Sequence, residues 1–547
     1  MAALPLLARI GDADAGFAYL TPKSRTTELP GREPRPADRI GLSRPATDSG
    51  LRMPAREPGP GEQYRFHFDM RKCIGCKCCV VACNEQNGNP AAINWRRVGE
   101  IEGGYFPQPT KAFLSMGCNH CLEPTCLKGC PVDAYTKDPA TGIVRHSADA
   151  CIGCQYCTWN CSYGVPQFNP ERGVVSKCDM CHGRLTRGET PACVAACPEG
   201  AIEIEIVKTA DWRAAVAAVA SVAPAERPSD HTAARAIPFA DHSLSTTRIT
   251  PRALPPNTQP IDVHHVRPGH PHWPLVVMTV LTQLSVGAFA TIWLLQVLGL
   301  ATDLGLAALA SLAVGGLALN AATLHLGRPV FAYRALKMWR RSWLSREVLL
   351  FALFAGVAGA YAGLLWFGWP GSSVVGALTV MLGLAGVTAS ACIYRVPSRP
   401  AWNTRFTVLQ FNLTAGILGP LFAAAVGAGQ TRWLAVAAAA MAAGQFLLLA
   451  LRFLRCIASD SLELKGTARL LSTVLRNTLL VRGVLLALGA VVLPLLIGGS
   501  GSAPAAVMVL ALALALGGEI VGRYLFFVSV VPKHMVAPYV AAGSEAA

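Results

Sequence analysis

Charge is scarce in this chain: Asp, Glu, Lys and Arg make up 15% of its 547 residues, against 52% hydrophobic. A chain this apolar does not dissolve as a whole, and one this long does not fold around a single core. At least two domains are expected, one of them in a membrane. Histidine is nearly missing from the second half, where only His325 and His534 follow His272. A membrane b-type haem commonly takes two axial histidines from facing helices, so no haem is expected there. Cysteine is absent from long stretches: seventeen of nineteen lie between Cys73 and Cys197, with only Cys392 and Cys456 beyond. One domain therefore owns the cysteines. No basic stripe interleaved with aromatics accompanies the formal charge of +15, so nucleic acid is not an expected partner. The opening MAALPLLARI is short, lacks a preceding basic region and has no adjacent arginine pair, so it reads neither as a secretory signal nor as a twin-arginine leader.

What is present divides the chain. Residues 1–62 are rich in Arg, Pro, Gly and Asp without apolar periodicity and read as a disordered extension. Residues 63–207 form the cysteine-rich domain. Residues 208–272 read as a tether, with one possible short helix around Asp211 to Val222. From Trp273 to about residue 535, apolar runs of roughly 20 residues begin near residues 274, 303, 346, 374, 405, 433, 479 and 503. They predict eight membrane-crossing helices, with Trp273, Trp339, Trp343, Trp369, Trp402 and Trp433 at their ends as interfacial aromatics. Residues 536–547 form a C-terminal tail. A soluble helical protein would need polar faces that these runs lack.

The loops predict an orientation. Lys and Arg number six between the second and third helices, three between the fourth and fifth, and six between the sixth and seventh; the opposite loops hold Arg432 alone. The positive-inside rule then places the N-terminus and the cysteine domain in the cytoplasm of an inner-membrane protein. That compartment disfavours disulfides.

Four cysteine quartets are written in the sequence: CIGCKCCVVAC (73–83), CNHCLEPTCLKGC (118–130), CIGCQYCTWNC (151–161) and CDMCHGRLTRGETPACVAAC (178–197). The first and third are copies, and Tyr156 takes the place of Cys78. Cys73, Cys76, Cys79 and Cys83 therefore keep the register, and Cys78 is the spare. Zinc ribbons also use CxxC pairs, but CxxCxxCxxxC wraps three thiolates around one 4Fe-4S cluster and sends the fourth elsewhere. Cys130-Pro131 and Cys197-Pro198 end their runs as bacterial ferredoxin motifs do, whereas Cys83 and Cys161 lack that proline.

Over Tyr64 to about Ile204 the chain resembles the iron-sulfur subunits of the dimethyl sulfoxide reductase family of molybdoenzyme complexes. The resemblance implies an α+β ferredoxin-like domain with four 4Fe-4S clusters and crossed ligand sets. One cluster would take Cys73, Cys76, Cys79 and Cys197; a second Cys178, Cys181, Cys193 and Cys83. The inner pair would take Cys118, Cys121, Cys126 and Cys161, then Cys151, Cys154, Cys157 and Cys130.

Without haem, electrons must pass directly between a cluster and a mobile carrier. A quinol releases two protons with its two electrons, so a base is needed at the cluster-facing edge of the bilayer. His325, in TLHLGRP, lies at that edge, where the bland alternative is an interfacial histidine that merely snorkels. HPHWPLVVMTVLTQ, LHLGRP, SWLSREV and GGEIVGR are similar to the eight-helix all-α anchor subunit of the same reductase family. That similarity implies that His325 belongs to a quinone site, with Arg328 and Glu347 as further candidates for orienting the ring or carrying protons. Glu519 and Arg523, four apart on the last helix, read as a structural pair. The chain is thus expected to fuse two subunits and to relay electrons between the quinone pool and a separate molybdopterin catalytic partner, which would hold the substrate chemistry. Two alternatives stand: an ion-translocating relative of polysulfide reductase anchors, and a transporter with a redox-sensing domain, which would need intramembrane polar sites.

Overall fold

The computed structural model describes residues 52–221, 243–255, 257–261, 266–301, 303–498 and 505–533. Most of the N-terminal extension, residues 1–51, therefore lies outside the described residues, as do much of 208–272, His534 and the C-terminal tail. The first part is an α+β domain. Strand β1 (Glu62–Asp69) pairs antiparallel with the last strand of the cysteine region, Ile202–Lys208, so that Phe66 faces Ile204 and Phe68 faces Ile202. These buried side chains, with Tyr64 and Met70, form one core against the cysteine loops. A hairpin of β2 (Arg97–Gly103) and β3 (Thr110–Met116) flanks it, and two short hairpins, Tyr135–Lys137 with Val144–His146 and Gln167–Asn169 with Val174–Ser176, carry the inner cysteine motifs.

The segment read as a tether departs from expectation. Helix Thr209–Ser221 is present near the place foreseen, but Arg248–Thr250 then pairs parallel with β1 and Gln259–Pro260 pairs antiparallel with β2. The Tyr163 hydroxyl donates to the Ser243 carbonyl over 2.9 Å and Trp212 Nε1 donates to the Ser245 carbonyl over 2.7 Å. Long-range pairing holds the described parts of this stretch to the domain. The end of the extension is held too, since Ile204 N donates to the Arg52 carbonyl over 2.8 Å.

Among the described residues, eight helices long and apolar enough to cross a membrane follow. They are α1 (Trp273–Val297), α2 (Gly305–Thr323), α3 (Trp343–Phe367), α4 (Ser372–Ile393), α5 (Arg405–Ala425), α6 (Thr431–Ala458), α8 (Arg476–Leu496) and α9 (Ala505–Val528), with a short helix α7 (Leu462–Ser472) between α6 and α8. Helix α1 is the most enclosed, 83% of its apolar window being buried. It crosses α5 at Gly287 and Gly419, where a Cβ on either would strike the other helix's backbone. Small residues permit such close crossings where lipid supplies no hydrophobic drive. In Glu519 and Arg523 the structure differs from the expected pair: no ion pair joins them among the described residues. Glu519 Oε2 accepts from Thr414 Oγ1 at 2.7 Å, while Arg523 donates to Gln283 Oε1 at 2.9 Å and stacks over Phe411. Spacing puts both on one helix, and the neighbouring helices decide their partners.

Candidate functional site

The cysteine loops gather their thiols into cages. Cys73, Cys76, Cys79 and Cys197 line one cavity, and Cys118, Cys121, Cys126 and Cys161 line another. The Cys83 thiol shares its surroundings with Cys178, Cys193 and Cys181, and Cys154 and Cys157 share theirs with Cys130 and Cys151. The structure thus brings the first motif beside the fourth and the second beside the third. Cys78 is exposed and lies outside the first cage.

These cages suit a metal-sulfur cluster. All nineteen cysteines are free of disulfides. Backbone amides point at the sulfurs: Ala201 N lies 3.2 Å from Cys197 Sγ, Ala134 N 3.3 Å from Cys130 Sγ, Gly153 N 3.4 Å from Cys151 Sγ and Met180 N 3.4 Å from Cys178 Sγ. Such N–H donors stabilise thiolate charge. Two buried cations, Arg96 and Lys177, escaped the sequence reading because single basic residues carry no motif. Arg96 (3% exposed) lies among Cys193, Cys79, Cys178 and Cys83. Lys177 (4% exposed) lies among Cys118, Cys126 and Cys178, which hold its ammonium above the usual lysine range. Tyr135 likewise stands between Cys126 and the pair Cys130 and Cys157. These shared neighbours order the cages in a line, with the Cys151 cage at one end and the Cys73 cage at the other.

The Cys151 end meets the helices. After α2, the backbone of the LHLGRP loop lies against the CIGC turn: Gly327 N donates to Gly153 O over 3.4 Å and Arg328 N to Ile152 O over 3.1 Å. The Arg328 guanidinium donates to the Ala148 carbonyl over 2.9 Å, Arg341 pairs with Asp133 at 2.5 Å, and Ser342 Oγ donates to Gly129 O over 2.7 Å. Trp159 is buried in an aromatic group with Tyr394, Trp402 and Phe527.

Between the two parts lies a cavity of about 250 Å³. Cys154, Tyr156 and Trp159 line it from the cysteine domain; Met278, His325, Glu347, Phe351 and Tyr394 line it from the helices. His325 and Glu347 are thus brought together, and Arg328 is not, its guanidinium being engaged by the cluster loop. His325 Nδ1 is hydrogen-bonded to the Ala322 carbonyl and must donate to it, leaving Nε2 as an acceptor. Burial pushes its imidazole down to about 4. It is therefore a neutral base inside a mostly apolar chamber.

Cysteine cages in line, seated on a bundle of long apolar helices, define a membrane-anchored iron-sulfur electron-transfer protein. The model for a 4Fe-4S dicluster domain matches residues 110–206, and that for the DMSO reductase anchor subunit (DmsC) matches residues 266–528. A polypeptide of the anaerobic dimethyl sulfoxide reductase of Haemophilus influenzae is 37% identical over 172 residues, covering 30% of this chain and 82% of that protein. Its counterpart in the Escherichia coli K12 anaerobic dimethyl sulfoxide reductase is 38% identical over 149 residues, 26% of this chain and 72% of its own. A subunit of the sulfite dehydrogenase of Allochromatium vinosum is 35% identical over 160 residues, 25% and 67% respectively. The protein belongs to the dimethyl sulfoxide reductase family, with the iron-sulfur subunit and the membrane anchor fused in one polypeptide.

Proposed function

We propose that the protein carries four 4Fe-4S clusters and relays electrons between the membrane quinone pool and a separate molybdopterin catalytic subunit. The single observation that supports this most is the shared cavity, whose walls hold a ligand of the membrane-proximal cage, Cys154, together with His325 and Glu347. Clusters supply one-electron transfer when bound; the protein supplies their order and the proton handling. In this reading Tyr156 and Trp159 shut water out of the chamber, and His325 Nε2 takes the ring hydroxyl's proton as its electrons leave. Glu347 is the second group able to exchange a proton. Arg328 positions the cluster loop rather than the ring. At the far end, Ile74 (59% exposed), in the wall of the Cys73 cage, and Val81 (67%), on the helix that carries Cys79, suit an apolar partner face.

The two chemistries in the relatives' names fit opposite directions of flow, reduction of an S-oxide from quinol or sulfite-type oxidation into quinone. The line of cages serves both. We place the protein in the inner membrane with the cluster domain cytoplasmic, on the basic-residue bias of its loops. Reporter fusions after Ser398 are expected on the inner face and after Gly371 on the outer.

Replacing His325 with Arg tests the site, because a guanidinium donates but stays protonated. In an assembled complex with its iron intact, dye-linked turnover is expected to persist and quinol-linked turnover to fall by about a hundredfold, the loss typical of removing a general base. Near-normal quinol turnover would return His325 to the role of an interfacial residue.

A further inference from the structure

The electron relay makes no use of a group of charges sunk between α5, α6, α8 and α9. Arg482 (4% exposed), Arg523 and Glu519 (1% each) are buried there. Arg452 on α6 joins them, donating to Gln410 Oε1 and, over 3.3 Å, to the Ala401 carbonyl. The signs do not balance: three guanidiniums accompany one carboxylate, and Glu519 is held by Thr414 and Gln445. Arg523 is satisfied in part by Gln283 and the Phe411 face. Among the described residues, Arg482 Nε and Arg523 Nε and Nη1 are buried without a partner, and the Arg482 guanidinium lies so close over Gly522 that any Cβ there would collide with it.

Arg452 and Arg482 face a common cavity of about 40 Å³, with Gln410, Gly522 and Ser529 in its wall. A single water needs only about 10–15 Å³, so the space exceeds one solvent molecule. Depth bears on the occupant. Arg452 lies six residues before the end of α6 and Arg482 six residues after the start of α8, so each is about 9 Å inside its helix terminus. Both termini are on the side that carries the cluster domain, and α7 closes the cavity there through Thr467 and Leu471. Helix α8 spans 21 residues, so the cavity is nearer the phospholipid headgroups of that leaflet than those of the opposite one. Buried guanidiniums without an anion are costly, and a planar guanidinium matches phosphate oxygens in a bidentate fashion.

We propose that this cavity is a binding site for one phosphate-type oxyanion, held by Arg452 and Arg482. An anionic phospholipid and free inorganic phosphate offer the same chemistry, and the depth favours the lipid headgroup.

The full-length protein in neutral detergent provides the test, with thermal unfolding followed as dioleoyl phosphatidylglycerol, dioleoyl phosphatidylcholine or inorganic phosphate is added. Phosphatidylglycerol is expected to raise the unfolding temperature saturably and phosphatidylcholine not to do so. Saturable stabilisation by inorganic phosphate alone would retain the site and assign it a free ion. Arg482→Leu is expected to shift the half-saturating concentration upward by about tenfold or more, the loss of a charge-assisted hydrogen bond. Arg482→Lys, which keeps the charge but loses the fork, is expected to shift it less and serves if the leucine variant does not fold. Arg469→Gln removes an exposed charge from α7 at the same edge and is expected to leave the response intact. The proposal is overturned if neither phosphatidylglycerol nor phosphate stabilises the wild type, if phosphatidylcholine does so equally, or if Arg482 variants respond as the wild type does.

Discussion

The backbone N–H of Gly327, in the loop after α2, donates to the carbonyl of Gly153, in the turn between Cys151 and Cys154, across 3.4 Å. A Cβ on Gly153 would strike Gly327, and one on Gly327 would strike Gly173. Glycine is thus required on both sides for the cluster loop to reach the helix end.

Gly327→Val is therefore expected to wedge the cluster domain away from the anchor. Iron content should remain that of the wild type, while quinol-linked cluster reduction should slow by about a hundredfold, the scale of an ångström-level misplacement. Gly316→Ala on α2 has open space around it and should leave both unchanged. Unaltered quinol kinetics in the valine variant would show that the contact does not govern the arrival of electrons.

The exposed Cys78 and the buried Cys79 stand side by side at the start of one helix. With four irons per cluster and four clusters, about sixteen irons per polypeptide are expected in anaerobic preparations. Cys78→Ser should keep that content and Cys79→Ser should lower it. The reverse outcome would shift the register of the first motif by one residue.

Lys177 places a buried positive charge between two cages. Lys177→Met should make the neighbouring clusters harder to reduce, by about 59 mV for each tenfold change in the one-electron equilibrium. Potentiometric titration followed by electron paramagnetic resonance reads the shift directly, and an unchanged set of potentials would remove Lys177 from the electrostatics of the relay.

His146 lies at a tilt against Tyr135, their ring centroids 4.8 Å apart, and burial pushes its imidazole down to about 4. Its folded pKa lies below the unfolded value near 6.5, so between those values the unfolded state holds more protons. Stability is then complete above about pH 6.5 and declines as pH falls toward 4, by up to about 1.4 kcal/mol per pH unit from this group. His146→Gln should flatten the dependence of the unfolding temperature on pH between 6.5 and 5. An equal slope in the variant would assign the acid sensitivity to other groups.

Much of this organisation is legible in the sequence, for identifiable reasons. A bilayer demands about 20 apolar residues per crossing, so each helix announces itself locally, with starts displaced by only a few residues at Trp343 and Arg476. The cysteine register is legible because the first and third motifs are copies. The strands Arg248–Thr250 and Gln259–Pro260 are not, because two or three residues without alternation acquire pairing only from β1 and β2. Arg328 lies beside His325 in sequence, yet its long side chain reaches the Ala148 carbonyl instead of the chamber. Glu519 and Arg523 show the same limit: helical spacing states which residues share a face and is silent about what that face meets.

Only twelve residues, 261–272, separate the strand Gln259–Pro260 from the first transmembrane helix at Trp273. Fully extended they span about 40 Å. A leash this short, anchored at one end to the cluster domain's own sheet, makes docking an intramolecular event at millimolar effective concentration. The ratio of cluster domain to anchor is fixed at one to one by synthesis, and dilution cannot separate them. Two independent polypeptides would need a larger or tighter contact to stay joined; here the Gly153–Gly327 seam and the Trp159 plug have only to set the geometry.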